Sequence, residues 1–155
     1  MIFMKRKTAN RLLLIAAILL VVCVGFAACS AKTDDKAAVA VTMSVDCKLL
    51  YDKDPERAEL GGLSDKGVMV TDKKVAVGEG ASVYAALVAS GIQFTGNDYV
   101  AGIMGLAEGD GGPESGWCFL INGKFPEDGV KDAKVGDGDK IDFRYTLDYG
   151  KDISG

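Results

Sequence analysis

The chain has 155 residues, 48% of them hydrophobic, which is enough for one globular domain and little else. Four of its 18 basic residues lie in the first 28 positions, which hold no acid, so the remainder has 14 basic against 22 acidic residues, a net charge of −8. Such a surface is a poor partner for nucleic acid and for anionic membrane surfaces. Histidine is absent, which excludes Ser-His-Asp triads, histidine-bearing zinc sites and an imidazole ligand to cobalt.

The first 28 residues have the pattern of an export signal. A basic stretch is followed by 17 uncharged residues, 12–28, which end in two alanines directly before Cys29. This order predicts a secretory signal over residues 1–28. Apart from Phe26, where an aliphatic residue is usual, the end resembles a lipobox, in which Cys29 is acylated and becomes the first mature residue.

An uncleaved N-terminal anchor is the alternative, because 17 residues are just short of a spanning helix. With either anchor the domain is expected on the extracytoplasmic face of the cell membrane. Residues 29–38 are small, polar and charged, which predicts a flexible tether between the lipidated cysteine and the domain at 39–155.

The first half of the domain is predicted to hold two strands and a helix. Apolar and polar residues alternate from Val39 to Tyr51, which indicates a strand with one buried face. A surface loop is predicted for 52–66 and a second strand for 67–77, with a turn or bulge at Asp72-Lys73-Lys74.

Ser82 as N-cap and Gly91 just past the last turn predict a helix over residues 83–90. Its apolar stripe includes Val83 and Leu87, with Val88 beside them. A helix this short is not stable alone in water, so it is expected to lie across a sheet.

The second half of the domain is predicted to be mainly strands. We expect a strand at 99–106, a loop at 107–115, a hairpin at 116–125 with a type I′ turn at Asn122-Gly123, and a last strand at 141–147. The order of elements predicts an α+β fold of the β-grasp kind, with one helix packed on a mixed sheet of four or five strands.

Two motifs in this half carry a family resemblance. They are Gly116-Trp117 with Phe119 and Asn122-Gly123, and Gly138-Asp139 with Tyr145-Thr146 and Gly150-Lys151-Asp152. The pattern, over residues 41–152, resembles a bacterial lipoprotein domain family of unknown function related to the C-terminal domain of transcobalamin and intrinsic factor. The resemblance implies a β-grasp-like sheet, and it points to a corrinoid as ligand because the vertebrate relatives use this sheet to cover one side of a corrinoid.

The candidate ligand site is the glycine-rich loop 108–115 beside Trp117. Glycines let main-chain groups approach a ligand closely, and a tryptophan ring offers a flat apolar platform. A solvated connection and a core tryptophan are the alternatives, and the acids of the loop do not have the spacing of an EF-hand, so no metal site is predicted. The candidate ligand-binding residues are Trp117, Asp110, Gly111, Gly112, Ser115, Gly116 and Asn122.

Cys47 and Cys118 are the thiols of the predicted exported domain. An oxidising compartment favours a disulfide between them. Strand alternation opposes it, because Cys118 points away from the face that Trp117 shares with Cys47. From the residues alone, the disulfide is therefore neither predicted nor excluded. In many proteins of the family that this chain resembles, the partner cysteine lies where this chain has Gly111 and Gly112. Without histidine to activate it, neither thiol is expected to be catalytic.

These observations predict a surface-tethered, non-enzymatic ligand-binding module with no cofactor of its own. The vertebrate carriers hold the ligand between this domain and a large helical domain, so a partner surface protein or transporter is expected to complete the site. The alternative is a protein-interaction or adhesion module that uses the sheet edge or the hairpin tip. An aromatic-lined concavity beside the glycine-rich loop would favour the first function.

Overall fold

Two sheets and three short helices make up the part of the chain that the computed structural model describes, residues 38–59 and 63–153. In chain order the elements are β1 (Ala38–Asp46), α1 (Lys48–Lys53), α2 (Pro55–Ala58), β2 (Val68–Gly78), α3 (Val83–Ser90), β3 (Phe94–Thr95), β4 (Gly102–Ile103), β5 (Leu106–Ala107), β6 (Gly116–Ile121) and β7 (Lys140–Thr146). The predicted signal segment and Cys29 lie outside the described residues. Within those residues, no helix is long and apolar enough to cross a membrane.

The main sheet has the strand order β2-β1-β7-β6. β1 runs parallel to β7, and the other two pairings are antiparallel. Met43 and Phe143 from its central strands are buried on one face, and Val83 and Leu87 of α3 belong to the same core. Each such side chain contributes about 1.5–3 kcal/mol when it is buried. The α+β prediction, one helix on a mixed sheet of four strands, is confirmed.

The helix α3 has the predicted ends. The Ser82 hydroxyl accepts the Ala85 N–H at 3.2 Å, and Gly91 ends the helix with a left-handed φ of 70°. Val88 was expected on the buried stripe, but it is 55% exposed. The stripe is instead Val83, Ala86, Leu87 and Ser90, because the first turn is held by main-chain bonds from the N–H groups of residues 83 and 84 to the segment 130–133.

Ser82→Ala is expected to lower the free energy of unfolding by about 1 kcal/mol, because it leaves an N-terminal N–H of α3 without its side-chain acceptor. Urea unfolding followed by Trp117 fluorescence measures the loss. Ser82→Asp keeps an acceptor and should stay close to wild type, and equal loss in both variants would contradict the capping role.

The first predicted strand is too long. β1 ends at Asp46, and the next residues form the helix α1. Cys47 and Leu50 are both buried and three residues apart, a spacing that fits a helical turn and not one face of a strand. The chain bends here because Cys47 N–H donates to the carbonyl of Gly67 at 2.7 Å. Gly67 lies so close to α1 that a Cβ on it would be 2.7 Å from Lys48 Cα. The predicted loop that follows also contains α2, which Asp54 caps ahead of Pro55.

Two predictions for the second half need correction. Asn122 and Gly123 have the positive φ angles of a type I′ turn, 52° and 77°, but the return strand is a single bridge between Ile121 and Lys124. β6 pairs with β7 instead, since Pro126 has no N–H to extend a ladder. The predicted strand 99–106 is divided by a turn at Met104-Gly105 into β4 and β5, which form a second sheet with β3. The bulge expected in β2 is present, at Asp72 with φ 44°.

Candidate functional site

An open depression of about 440 Å³ lies at the start of β6. Tyr99 and Val100 line it on the side of the buried core, and Thr146 and Tyr149 line it on the other side of the main sheet. Tyr99 is 56% and Tyr149 67% exposed. With Trp117 between them, the depression is an aromatic-lined concavity beside the glycine-rich loop.

Trp117 is both a core residue and part of this depression. Its indole N–H donates to the Leu106 carbonyl at 2.9 Å, and its ring meets the Tyr145 ring edge to face with centroids 5.2 Å apart. These contacts hold the ring in one orientation, so its remaining exposed part offers a rigid surface. The sequence left the core and platform roles as alternatives, and the geometry allows both at once.

The loop 108–115 is held by a buried hydroxyl. Tyr145 O–H donates to the Ala107 carbonyl at 2.7 Å, accepts the Gly111 N–H at 3.1 Å and lies 2.9 Å from Ser115 Oγ. Ser115 is only 7% exposed, and its hydroxyl also reaches the Gly112 carbonyl at 2.7 Å. The loop is therefore a fixed rim.

Asp110 and Gly111 are also engaged within the domain. The Asp110 carboxylate accepts the Ala107 N–H at 2.8 Å, and its carbonyl accepts from the Arg57 guanidinium. A Cβ on Gly111 would lie 2.7 Å from Leu147 Cδ2 and 3.0 Å from Tyr145 Cε1, so a side chain there requires these neighbours to shift. Together with Ser115, these predicted site residues serve to position the rim.

The remaining predicted residues divide between the two ends of β6. Gly116 lines the depression, and Gly112 lies in the adjoining rim with a φ of 133° that favours glycine. Asn122 lies at the far end of the strand, about 20 Å away at roughly 3.3 Å per residue. Its side chain donates to Asp139 at 2.8 Å and accepts the Lys140 N–H at 2.9 Å, so it stabilises the turn.

Tyr99 and Tyr149 were not anticipated at the site, and Glu108 and Glu114 belong to the predicted loop but were not named as ligand-binding residues. Tyr99 O–H donates to Glu108 at 2.7 Å, and this hydrogen bond to a carboxylate raises the pKa of Tyr99. The described lining residues include two acids and no basic side chain. The described residues contain no group of three or more acidic or cysteine side chains that could hold a metal ion, either in this depression or elsewhere.

The two thiols lie on opposite faces of the main sheet and are free. Cys47 is fully buried in the cluster that contains Tyr145, whereas Cys118 pairs in register with Arg144 on the other face. The two cysteines therefore lie on opposite faces, as the strand alternation predicted. Burial raises the pKa of both Cys47 and Cys118, which keeps them protonated.

The turn that carries Tyr149 is held by Asp152. Its carboxylate accepts the Thr146 hydroxyl and, at 2.8 Å, the Leu147 N–H. Burial alone would raise the pKa of Asp152, but these hydrogen bonds outweigh it, so the pKa lies below its usual value.

Asp152→Asn is expected to destabilise the domain by about 1 kcal/mol at neutral pH, because the bonds to the charged carboxylate are weakened. The folded pKa is depressed, so this stabilisation is complete above the unfolded pKa of about 3.9 and is lost as pH falls through the folded value. Unfolding free energies measured down that range should converge for variant and wild type. Asp132→Asn, on an exposed side chain, is the control, and a pH-independent difference for Asp152→Asn would contradict the assignment.

Comparison with known proteins agrees with the family resemblance. Residues 80–146 match the model of a domain of unknown function, DUF4430. The chain is similar to haptocorrin in complex with Cbi, with a TM-score of 0.51 and 16% identity, over 72% of this chain and 25% of that one. It is also similar to a protein of Ruminococcus gnavus ATCC 29149 provisionally described as metal-binding, with a TM-score of 0.45 and 12% identity, over 70% of this chain and 96% of that one. No curated protein sequence matches.

The chain spans about a quarter of the haptocorrin chain, so this likeness concerns the fold. Residues 80–146, less than half of the chain, are similar to this domain of unknown function, in agreement with the resemblance drawn from the motifs.

Proposed function

We propose that this protein is a ligand-binding module whose site is the depression at the start of β6. The observation that carries the proposal is the exposure of Tyr99 and Tyr149 on either side of the rigid Trp117 ring. Concavities lined by aromatic side chains on a fixed scaffold are where flat ligands with apolar faces bind. The rim tied to Tyr145 supplies that scaffold.

The candidate ligand is a corrinoid. The fold similarity to haptocorrin in complex with Cbi supports this choice, as does the motif resemblance to the transcobalamin C-terminal domain. A depression of about 440 Å³ covers only part of so large a ligand, so a lone domain should bind it with modest affinity. A second protein surface would raise the affinity by covering the rest.

Binding is proposed to occur without catalysis. Cys118 is the thiol that lines the depression, and burial, together with the charge of Asp152, raises its pKa. A protonated thiol without an imidazole neighbour is a weak nucleophile.

Acylation of Cys29 is proposed to hold the module on the extracytoplasmic face of the membrane. Metabolic labelling with a palmitate analogue tests the anchor in a bacterial host. Label should be lost with Cys29→Ala and kept with Cys23→Ala, and label that survives Cys29→Ala would overturn the proposal.

Calorimetric titration of the full-length chain with cobinamide tests where the ligand binds. Tyr99→Ala and Tyr149→Ala should each weaken binding about fivefold, because each removes an exposed aromatic contact worth roughly 1 kcal/mol. Val88→Ala removes an equally exposed apolar side chain from α3 and should leave the affinity unchanged. Equal affinities in all three variants would rule out this depression as the site.

A further inference from the structure

The outer edge of β6 carries unpaired main-chain groups. Asn122 N–H donates to the Lys140 carbonyl at 2.8 Å. By the alternation of an antiparallel ladder, the even-numbered residues of β6 direct their main-chain groups to β7 and the odd-numbered ones direct theirs outward. The main-chain groups of Trp117, Phe119 and Ile121 therefore point to the outer edge.

The free stretch has two defined ends. The main-chain groups of Ser115 are bonded within the preceding loop, and those of Ile121 are bonded to Lys124. Between them, nothing in the described part of the chain pairs with the N–H and C=O groups of Trp117 and Phe119. Four hydrogen-bonding groups in strand geometry are left for a partner.

The two edges of the main sheet differ. β2 carries a bulge at Asp72 and exposed lysines at 73 and 74, which are features that protect a sheet edge from pairing. β6, with the sequence Gly-Trp-Cys-Phe-Leu-Ile, has no charged residue and no bulge against β7. By the same criterion β6 is an edge suited to pairing.

We propose that the β6 edges of two copies of this chain pair antiparallel about a two-fold axis at Cys118. Trp117 of each copy then pairs with Phe119 of the other, and all four groups on each edge are satisfied. The interface is self-complementary, as a two-fold contact requires, and it joins the main sheets into one of eight strands.

The charges at the two ends of β6 fit this arrangement. Lys124 follows one end of the strand and is exposed, while Glu114 and Glu108 lie at the other end, where the described lining holds no basic side chain. Antiparallel pairing brings the Lys124 end of each copy to the Glu114 end of its partner, twice per dimer. Phe125, 48% exposed, comes with it. Gly116, Trp117 and Cys118 of this edge also line the depression, so a paired copy covers the proposed ligand site and the two interactions compete.

Sedimentation equilibrium of the full-length chain in density-matched detergent, with Cys23→Ser and Cys29→Ser, tests the proposal. Four interstrand hydrogen bonds between two short strands predict a weak, reversible dimer, within reach of a scan to about 100 μM. Cys118→Lys places like charges at the axis and should give monomer. Ala76→Lys, an exposed position on the protected β2 edge, should leave the dimer intact.

If Cys118→Lys does not fold, surface charge variants test whether two copies pair through β6. Glu114→Lys and Lys124→Glu should each weaken the dimer severalfold, and the double variant should restore it, since each contact then has its charges exchanged. In the native register Cys118 meets its symmetry mate at a Cα separation of about 4.5 Å, so diamide should oxidise the two thiols to an intermolecular disulfide. Monomer at every concentration, or a dimer indifferent to both sets of variants, would overturn the proposal.

Discussion

Tyr145→Phe is expected to lower the free energy of unfolding by about 2 kcal/mol, although only one oxygen atom is removed. The hydroxyl is buried and bonds to the Ala107 carbonyl, the Gly111 N–H and the Ser115 hydroxyl. Without it the Ala107 carbonyl and the Gly111 N–H lose this partner, and the rim of the depression loses its link to β7.

The control is Tyr149→Phe, because Tyr149 is 67% exposed and its hydroxyl has no partner in the described part of the chain. Chemical denaturation of both variants gives the comparison, and hydrogen exchange should rise at 108–115 in Tyr145→Phe alone. Matching stabilities for the two variants would show that the hydroxyl does not hold the rim.

Trp117→Ala is expected to cost about 3 kcal/mol of stability, near the lower end for a large aromatic because the ring is only half-buried. The ring packs against Tyr145 and belongs to the surroundings of both hydrophobic clusters, and its N–H bond to Leu106 is lost with it. Binding of cobinamide should be abolished in the same variant.

Trp117→Phe separates the packing of the ring from the hydrogen bond of its N–H group. Phenylalanine keeps most of the packing but cannot donate to the Leu106 carbonyl, so stability should fall by only about 1 kcal/mol. Circular dichroism measures the unfolding of both variants, since the chain's one tryptophan is gone. A Trp117→Ala protein as stable as wild type would mean that the ring is no part of the core.

The features that could be predicted from the sequence depend on local chemistry. The ends of α3 follow from Ser82 and Gly91, and the turn at Asn122-Gly123 follows from two residues that tolerate positive φ. The period of two in β1 reports which face is buried. Such signals act within a few residues, so they survive whatever the rest of the chain does.

The features that could not be predicted arise from contacts between distant residues. Cys47, Leu49 and Tyr51 continue the period of a strand, whereas Cys47 and Leu50 have the spacing of a helical turn, and the close approach of Gly67 selects the helix. Tyr99 and Tyr149 are fifty positions apart in the sequence and meet at one depression because β6 lies between their segments. The polar groups of the glycine-rich loop looked available for a ligand because the hydroxyl that engages them comes from Tyr145, on another strand.

Fluorescence titration of the full-length chain with cobinamide tests the central claim most directly, because Trp117 is its only tryptophan and lines the proposed site. A corrinoid seated against that ring should quench its emission saturably, beyond the absorption correction measured with free N-acetyltryptophanamide. Emission that follows the correction curve alone, up to high micromolar ligand and with no heat of binding, would contradict the account.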